Sequence, residues 1–462
     1  MAFADSDWRI LPFKSKSSTK GKATRKRIEL NLQNNDYFPP EGHCCIKLKS
    51  NDSESTFLYF GGARRVQETE WKFGHDLFHM TFNHDPDDAY ISSIQRFDNI
   101  MGAHFLSLQS ASAWYDTRTV FVWGGLNTDT FETSNELIKL DFIRNKYQCT
   151  ICQPAGKTSL SKLVQNGDIP VGRTGHTVTQ LSENVIVMHG GLSLPNRHKP
   201  GLASPFSQVC NDGSFYEFDS RTLRWTKIRD IPDVMPRAYH TANIATISGT
   251  RCVIIIGGVS FKGVESSPSE RLRLPLSELV ILKLHGVAER RYSLDKISAS
   301  IPEDIFISYQ SVVSFNNILY ITGGFVQKEA EITDPPTASN KLYAIDLQSL
   351  SIESTELDIM YCTAGNSSFT LSDDCIMVVG GVLETIFAYT TKPLRPSPCD
   401  LNDECCISDS PEISPIAWVQ CESKCKRWLH QFCVGLLEKG VPKGKYVCST
   451  CKSQGRKRKS LK

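Results

Sequence analysis

One feature of the amino-acid sequence constrains the fold more than any other: a Gly-Gly pair follows a short apolar run six times before residue 382. The first glycines of successive pairs lie 63, 66, 67, 66 and 57 residues apart, and they are Gly61, Gly124, Gly190, Gly257, Gly323 and Gly380. A period as regular as this predicts a series of similar supersecondary units that stack on one another. The chain is therefore expected to be built from six repeats.

Most Gly-Gly pairs are followed by two further strand-like runs. After Gly190 these are residues 215–219 and 223–228, and the repeats of Gly124 and Gly323 show the same order. Most runs alternate apolar with polar residues, as half-buried antiparallel strands do. Four short strands per repeat, arranged radially, form a β-propeller. The sequence predicts an all-β, six-bladed propeller over residues 1–392.

The closure of the ring can also be predicted. The sixth repeat has only one strand after its glycines, at residues 385–390, so its outer strand is missing. The segment 8–13 is apolar enough to supply that strand and fasten the ring. The glycines themselves are interpreted as structural, because only glycine permits a positive φ and a close backbone approach where inner strands crowd together.

The repeat resembles the kelch family. The resemblance rests on the Gly-Gly pairs, on the blade-opening segments 172–177 (GRTGHT) and 236–241 (PRAYHT), and on Trp225 at the tryptophan position of the family. His176 and His240 recur in the opening segments, and they are interpreted as blade residues and not as ligands or bases. The period exceeds the ~50 residues typical of kelch repeats, and the surplus lies in loops 193–211, 260–278 and 326–339. Such loops commonly carry binding functions.

Cysteine usage separates a second region from the propeller. Of 16 cysteines, eight lie between Cys399 and Cys451. No secretory signal or membrane-length apolar run is evident, so a reducing compartment is expected, where clustered cysteines bind zinc more often than they form disulfides. The spacing is Cys421-x3-Cys425-x4-His430-x2-Cys433, then Cys448-x2-Cys451, with Cys399 and the Cys405-Cys406 pair upstream. Thiolates and an imidazole at such spacings suit tetrahedral zinc, and a segment of about fifty residues needs metal to fold.

With one ligand counted from the Cys405-Cys406 pair, the order is four cysteines, a histidine and three cysteines. That order, with Trp428 two residues before His430, resembles a plant homeodomain (PHD) finger. The resemblance implies a finger at 399–452, after a linker at 393–398 and before a basic tail at 453–462. It implies two zinc ions, the first held by Cys399, either Cys405 or Cys406, His430 and Cys433, and the second by Cys421, Cys425, Cys448 and Cys451.

Fingers of this family often capture trimethyl-lysine of histone tails, by cation–π attraction inside an aromatic cage. The candidate cage residues are Trp418 and Trp428. The family commonly adds an aromatic residue just before the first cysteine, where this chain has Pro398. Whether the cage is complete stays open.

A kelch-type propeller and a histone-reading finger on one chain resemble the second subunit of the V(D)J recombinase and its transposon-encoded relatives. The long acidic hinge of the vertebrate subunit has no counterpart here, because only residues 391–398 intervene. The resemblance implies a nuclear, non-catalytic accessory subunit in a hetero-oligomer. Its partners would be a catalytic transposase or recombinase subunit, the histone H3 tail, and DNA near the transposon ends, contacted by Arg64 and Arg65.

Other functions remain open at this point. No nucleophile elbow, phosphate loop or glycosidase pair is evident in the sequence, so an enzyme is not expected. The alternative is a stand-alone chromatin reader that recruits another nuclear protein through its propeller. A ubiquitin-ligase adaptor is disfavoured, because no cullin-binding segment accompanies the propeller. Cys149 and Cys152 are interpreted as idle thiols on an outer strand.

Overall fold

The fold was analysed in a computed structural model. The described residues lie between 9 and 451, with gaps at 13, 16–40, 51–53, 66–70, 75, 84–89, 98–99, 101–107, 110, 117–118, 128–131, 144–145, 155–163, 194–212, 262–270, 287–290, 302–303, 316, 331–336, 357–362, 373–374, 383–384, 391–417, 424, 432–433, 435, 437–444 and 449–450. Among them, a four-stranded antiparallel unit recurs six times in five sheets of at least four strands, because two neighbouring units are joined into one nine-stranded sheet. No helix among the described residues is long and apolar enough to cross a membrane.

The strands of the first three blades follow the Gly-Gly repeat. Two short strands come first, β1 (Arg9–Pro12) and β2 (Lys14–Ser15). Blade 1 contains β3 (Glu41–Ser50), β4 (Glu54–Arg65), β5 (Trp71–Phe73), β6 (Leu77–Asn83) and β7 (Tyr90–Phe97). Blade 2 and its connections contain β8 (Leu108–Gln109), β9 (Ser112–Asp116), β10 (Thr119–Trp123), β11 (Leu126–Asn127), β12 (Glu132–Thr133), β13 (Leu137–Ile143) and β14 (Lys146–Pro154). Blade 3 contains β15 (Val164–Gly167), β16 (Thr177–Gln180), β17 (Val185–His189), β18 (Phe215–Asp219) and β19 (Arg224–Ile228).

The other three blades repeat this arrangement, and a small hairpin lies near the carboxyl terminus. Blade 4 contains β20 (Thr241–Ile247), β21 (Thr250–Ile256), β22 (Val259–Phe261), β23 (Arg271–Arg273), β24 (Glu278–Gly286) and β25 (Arg291–Ser298). Blade 5 contains β26 (Phe306–Ser308), β27 (Ser311–Phe315), β28 (Ile318–Thr322), β29 (Phe325–Gln327), β30 (Thr337–Ala338), β31 (Lys341–Asp346) and β32 (Ile352–Glu356). Blade 6 contains β33 (Ser367–Ser372), β34 (Cys375–Gly380) and β35 (Thr385–Thr390), and the hairpin is β36 (Trp418–Gln420) with β37 (Trp428–His430).

The apolar core is divided into six clusters, and each lies between two neighbouring blades. The cluster between blades 4 and 5 includes Ile254 and Ile256, whereas Val253 and Ile255 of the same strand belong to the cluster between blades 3 and 4. Equivalent clusters join blades 1 and 2, 2 and 3, 5 and 6, and 6 and 1. Alternate residues of one strand therefore serve different cores, since successive side chains point to opposite faces. The second strand of each blade, which contains the apolar run before the Gly-Gly pair, is buried on both faces.

The ring closes through the amino-terminal strand, as the sequence predicted. Strand β1 pairs antiparallel with β35, with Arg9 opposite Thr390 and Pro12 opposite Phe387. The order in blade 6 is β1, β35, β34, β33. Closure removes the exposed edge that an open sixth sheet would leave. The backbone pairing confirms the predicted segment 8–13 at residues 9–12.

The Gly-Gly pairs have a positive φ, as expected, but their position gives a different reason for glycine. A Cβ on Gly190 would lie 2.3 Å from the carbonyl oxygen of Arg237 in the next blade, and 2.5 Å from Cε1 of His240. The following amide, Gly191 N–H, donates to that same carbonyl at 2.8 Å. Equivalent 2.8 Å bonds run from Gly125, Gly258 and Gly324 to the next blade. The glycines therefore lie between adjacent blades, at the second strand, and not where the innermost strands converge.

A second series of backbone hydrogen bonds circles one end of the central channel. Tyr239 N–H donates to Gly175 O at 2.8 Å, and Tyr309 N–H to Tyr239 O at 2.9 Å. Gly365 N–H donates to Tyr309 O at 2.8 Å, and Gly42 N–H to Gly365 O at 3.3 Å. These residues come from blades 3, 4, 5, 6 and 1, so the inner ends of the blades surround a common axis.

Candidate metal centre and binding surfaces

Four cysteines of the carboxyl-terminal region converge on one point. The Sγ atoms of Cys421, Cys425, Cys448 and Cys451 all lie within 4.8 Å of one another. Local backbone contacts hold them there: Glu422 N–H donates to Tyr446 O at 2.8 Å, and Cys448 N–H donates to Cys421 Sγ at 3.3 Å. This is the set that the PHD resemblance assigned to one zinc ion.

The geometry suits tetrahedral zinc. Zinc–sulfur bonds of ~2.3 Å place neighbouring thiolate sulfurs ~3.8 Å apart, and Cys425 Sγ lies 3.7 Å from Cys448 Sγ. Burial acts to raise the pKa of Cys421, but hydrogen bonds from the backbone of Cys448 and from neighbouring groups lower it to about 7. Because zinc binds the thiolate, a lowered thiol pKa favours metal uptake near neutral pH. These four residues would hold one Zn²⁺, which would supply folding free energy and no chemistry.

The other predicted zinc site is not described. Cys399, Cys405, Cys406 and Cys433 lie outside the described residues, and of His430 only the backbone is described, as the last residue of β37. The choice between Cys405 and Cys406 is therefore untested. The described residues contain one four-cysteine group, so they support one zinc ion, and the second ion stays a prediction.

The two tryptophans predicted to contact a methyl-lysine lie on the same hairpin. In the register of β36 and β37, Gln420 is opposite Trp428, Val419 is opposite Leu429, and Trp418 is opposite His430. Val419 and Leu429 are buried beside the cysteines. Trp428 is 51% exposed, although most large apolar side chains of the described chain are buried. The side chain of Trp418 is not described.

Arg64 and Arg65, the predicted DNA contacts, lie at the end of the strand β4. In the backbone register Arg64 is opposite Lys72 and Arg65 is opposite Trp71 of β5. The strand that contains the apolar run and the Gly-Gly pair thus continues beyond them into an antiparallel hairpin in blade 1. The side chains of these four residues are not described.

The recurring histidines are built into the contacts between blades. A Cβ on Gly124 would lie 2.7 Å from Cε1 of His176, just as Gly190 packs on His240. Burial, together with the charge of Arg173, lowers the pKa of His176 to about 3. Gln310 and Asn366 occupy the same place in blades 5 and 6, against Gly257 and Gly323. Since an amide can replace the imidazole, these positions are packing positions and do not supply an acid or base.

Trp225, and the pair Cys149 and Cys152 on β14, also occupy positions with a structural role. Trp225 is fully buried between blades 2 and 3, and its Nε1–H donates to Gln165 Oε1 at 2.9 Å. Gln165 in turn donates to Cys152 O at 2.8 Å, which ties the outer strands of blades 2 and 3 together. Burial raises the pKa of both Cys149 and Cys152 to about 11. Both thiols therefore stay protonated near neutral pH and are poor nucleophiles.

Comparison with known proteins supports the fold of the first domain. No protein-family model matches the sequence. The solved structure of YjhT, a kelch-type propeller protein, superposes with a TM-score of 0.50 at 14% identity, covering 76% of this chain and 93% of that chain. At this identity the match shows the fold alone. The chain is thus an all-β protein with a six-bladed kelch-type propeller and a small cysteine-rich finger.

A second comparison concerns a short stretch of sequence. Forty-five residues of the chain are 40% identical to lysine-specific demethylase 5B of Gallus gallus. They make up 10% of this chain and 3% of that protein. The chain therefore spans only a small part of the length of the curated relative that it matches.

Proposed function

We propose that this chain is a non-catalytic accessory subunit of a recombination-activating-type transposase or recombinase. In this proposal the finger binds the histone H3 tail at a methylated lysine, and the propeller binds the catalytic subunit and flanking DNA. One observation carries the proposal. Trp428 is exposed on a hairpin that packs against the four-cysteine site, and the same chain contains a closed six-bladed ring.

The finger supports the histone-binding half of the proposal. Leu429 and Val419 bury one face of the hairpin against the cysteines, so the zinc site fixes the backbone that carries Trp428. In the register, Trp418 lies two residues from Gln420, the partner of Trp428. Diagonal neighbours of this kind are within reach of large aromatic side chains. Two indole rings on one hairpin can form adjacent walls of a cage for a quaternary ammonium group.

The propeller supports the scaffold half of the proposal. His176 and His240, and the thiols of Cys149 and Cys152, are neutral packing groups, so these positions of the described blades offer no activated side chains. Metal-dependent strand transfer needs carboxylates that hold metal ions, and the resemblance assigns that chemistry to the partner subunit. In this arrangement Arg64 and Arg65 bind DNA phosphates beside blade 1, and the basic tail at 453–462 directs the chain to the nucleus.

The finger is tested by titrating the full-length, zinc-loaded chain with histone H3 tail peptides. A peptide with trimethyl-lysine is expected to bind more tightly than the same peptide with the uncharged tert-butyl isostere, because cation–π attraction needs the charge. Trp428→Ala should weaken binding ~5- to 30-fold. Phe142→Ala removes an aromatic residue of the propeller that is 44% exposed and serves as the matched control. Equal affinity for the two peptides would contradict the methyl-lysine assignment.

The propeller is tested by co-purification with a transposase of the recombination-activating type on terminal-repeat DNA. We expect a complex that survives deletion of residues 399–462 and loses DNA affinity when Arg64 and Arg65 are replaced by alanine. Failure to associate, with histone binding intact, would refute the recombinase role and favour the stand-alone chromatin reader.

A further inference from the structure

A buried arginine fixes the segment that opens blade 3, and another fixes the segment that opens blade 4. Arg173 Nε–H donates to the carbonyl oxygen of Val171 at 3.1 Å, and its Nη1 donates to the first Gly-Gly carbonyl of its own blade at 2.9 Å. Arg237 makes the equivalent bonds, to Met235 O at 3.4 Å and to the glycine carbonyl of blade 4 at 3.3 Å. Both arginines are at most 1% exposed. Each one therefore ties the residue two positions before it to the Gly-Gly turn.

The two residues held in this way are exposed aliphatic residues. Val171 is 59% exposed and Met235 is 47% exposed. The equivalent residue of blade 5 is Ile305, which is partly buried. A single exposed aliphatic side chain needs no explanation, whereas several together with a polar rim mark an interaction site.

The opening segments of blades 3, 4 and 5 lie side by side at one mouth of the central channel. Tyr239 N–H donates to Gly175 O at 2.8 Å, and Tyr309 N–H donates to Tyr239 O at 2.9 Å. The two tyrosine rings stack with centroids 4.0 Å apart. Three aliphatic residues at one position of neighbouring segments therefore form a row around this mouth, the blade-opening row: Val171, Met235 and Ile305.

The blade-opening row is accompanied by three exposed aspartates: Asp230, Asp233 and Asp304. Asp233 lies two residues before Met235, and Asp304 lies directly before Ile305. Asp233 accepts a hydrogen bond from the hydroxyl of Ser214 at 2.9 Å. None of the three aspartates forms an ion pair with another described residue.

The three arginines of the same segments do not offset these carboxylates. Arg237 pairs with Glu278 at 3.2 Å. Arg229 pairs with Asp168 at 3.0 Å, and Arg173 is fully buried. The remaining exposed charge of the described opening segments is therefore negative. A negative surface attracts lysine and arginine side chains and repels the phosphates of nucleic acid.

We propose that the blade-opening row binds a segment of a partner protein in which apolar side chains alternate with lysine or arginine. Val171 and Met235 supply the apolar contacts, and the aspartates select a cationic segment. The buried arginines fix the row before the partner arrives, so little conformational freedom is lost on binding. The inference goes beyond the proposed function, because it names the chemistry of the bound segment and holds or fails whether or not the partner is a transposase.

The test uses the full-length chain and a blocked peptide, acetyl-Lys-Leu-Ser-Lys-Leu-Ser-Lys-Leu-Ser-amide, in titration calorimetry. A second peptide has glutamate in place of each lysine, and a third has serine in place of each leucine. We expect the first peptide to bind at least about fivefold more tightly than either of the others. Equal affinity for the lysine and glutamate peptides would overturn the choice of a basic partner. Equal affinity for the leucine and serine peptides would refute the apolar contacts.

Matched substitutions locate the site. Val171→Ser should weaken binding of the first peptide at least about fivefold, whereas Val164→Ser, at a valine of β15 that is 45% exposed, should leave it unchanged. Asp304→Asn should weaken binding at least about twofold at low salt, whereas Glu183→Gln, at an exposed glutamate after β16, should not. All four positions are exposed, so the fold should be retained, which circular dichroism checks. Unchanged affinity in both Val171→Ser and Asp304→Asn would refute the site.

Two further outcomes would assign the row to another occupant. Labelled duplex DNA that competes with the peptide, and whose binding is also lost in Val171→Ser, would overturn the assignment to a protein. Peptide binding that occurs only after deletion of residues 453–462 would assign the row to the chain's own basic tail and overturn the assignment to a partner. Loss of histone binding in Trp428→Ala with peptide binding intact would separate this site from the finger.

Discussion

Replacing Gly190 with alanine tests whether the Gly-Gly pairs are required by contacts between blades. Gly190 has φ 69°, and its added Cβ would lie 2.3 Å from the backbone oxygen of Arg237. Gly249, in the turn between β20 and β21, is the matched control, because it has φ 79° and nothing within 4 Å of an added Cβ. Both substitutions place alanine at a positive φ, and only one of them also forces two blades apart.

The expected magnitudes follow from these contacts. A left-handed conformation costs alanine ~1–2 kcal/mol at either site. At Gly190, overpacking adds ~1–3 kcal/mol, and displacement of Arg237 O weakens its hydrogen bond from Gly191, worth ~1 kcal/mol. Gly190→Ala should therefore lower the free energy of unfolding by about 3–6 kcal/mol, against about 1–2 kcal/mol for Gly249→Ala.

The assay is urea unfolding at constant zinc concentration, followed by tryptophan fluorescence. Trp123 and Trp225 lie between blades 2 and 3, with ring centroids 5.2 Å apart, and report loss of that interface. Equal destabilisation by the two substitutions would refute the reasoning, because the cost would then be conformational and not a cost of packing between blades.

Three further predictions concern pH, zinc and ring closure. Because burial lowers the pKa of His176 to about 3, against ~6.5 when unfolded, its contribution to stability is complete above pH 6.5. As the pH is lowered from 6.5 to 3, this contribution to the free energy of unfolding falls by up to ~1.4 kcal/mol per pH unit. His176→Asn should reduce this pH dependence of the free energy of unfolding, measured by urea titration at each pH. Cys421→Ser should reduce bound zinc by one equivalent in elemental analysis, whereas Cys149→Ser should not; equal zinc content would contradict the four-cysteine site. Deleting residues 1–12 should remove the hydrogen-exchange protection of β35, whereas deleting residues 1–4 should preserve it; protection in both would contradict closure by β1.

Much of the propeller could be predicted from the sequence because its determinants are local and repeated. The period of the Gly-Gly pairs gives six units, and the single strand after Gly380 implies that another segment completes blade 6. The third strand of blade 6 at 385–390, and its outer partner near residue 10, follow from this count. The PHD resemblance assigned Cys421, Cys425, Cys448 and Cys451 to one zinc ion, and the structure brings these four thiols together at a distance that suits tetrahedral zinc.

The reason for each glycine, and the surface at the channel mouth, could not be predicted in this way. The sequence shows that glycine recurs, but only the packed ring shows that Gly190 meets Arg237 and His240 of the next blade. Tyr239 and Tyr309 are 70 residues apart in the sequence, yet their rings stack with centroids 4.0 Å apart. Their proximity depends on the rotation of blade 5 relative to blade 4.

The sequence by itself therefore determined the number of blades and the strand that closes the ring, since periodicity is a property of neighbouring residues. Its resemblance to a PHD finger indicated one set of zinc ligands. The tertiary structure decided which blades the glycines separate, where the histidines are buried, and which side chains share the channel mouth. These are long-range contacts made when six sheets pack around one axis, and a pattern within one repeat carries no information about what the adjoining blade places against it.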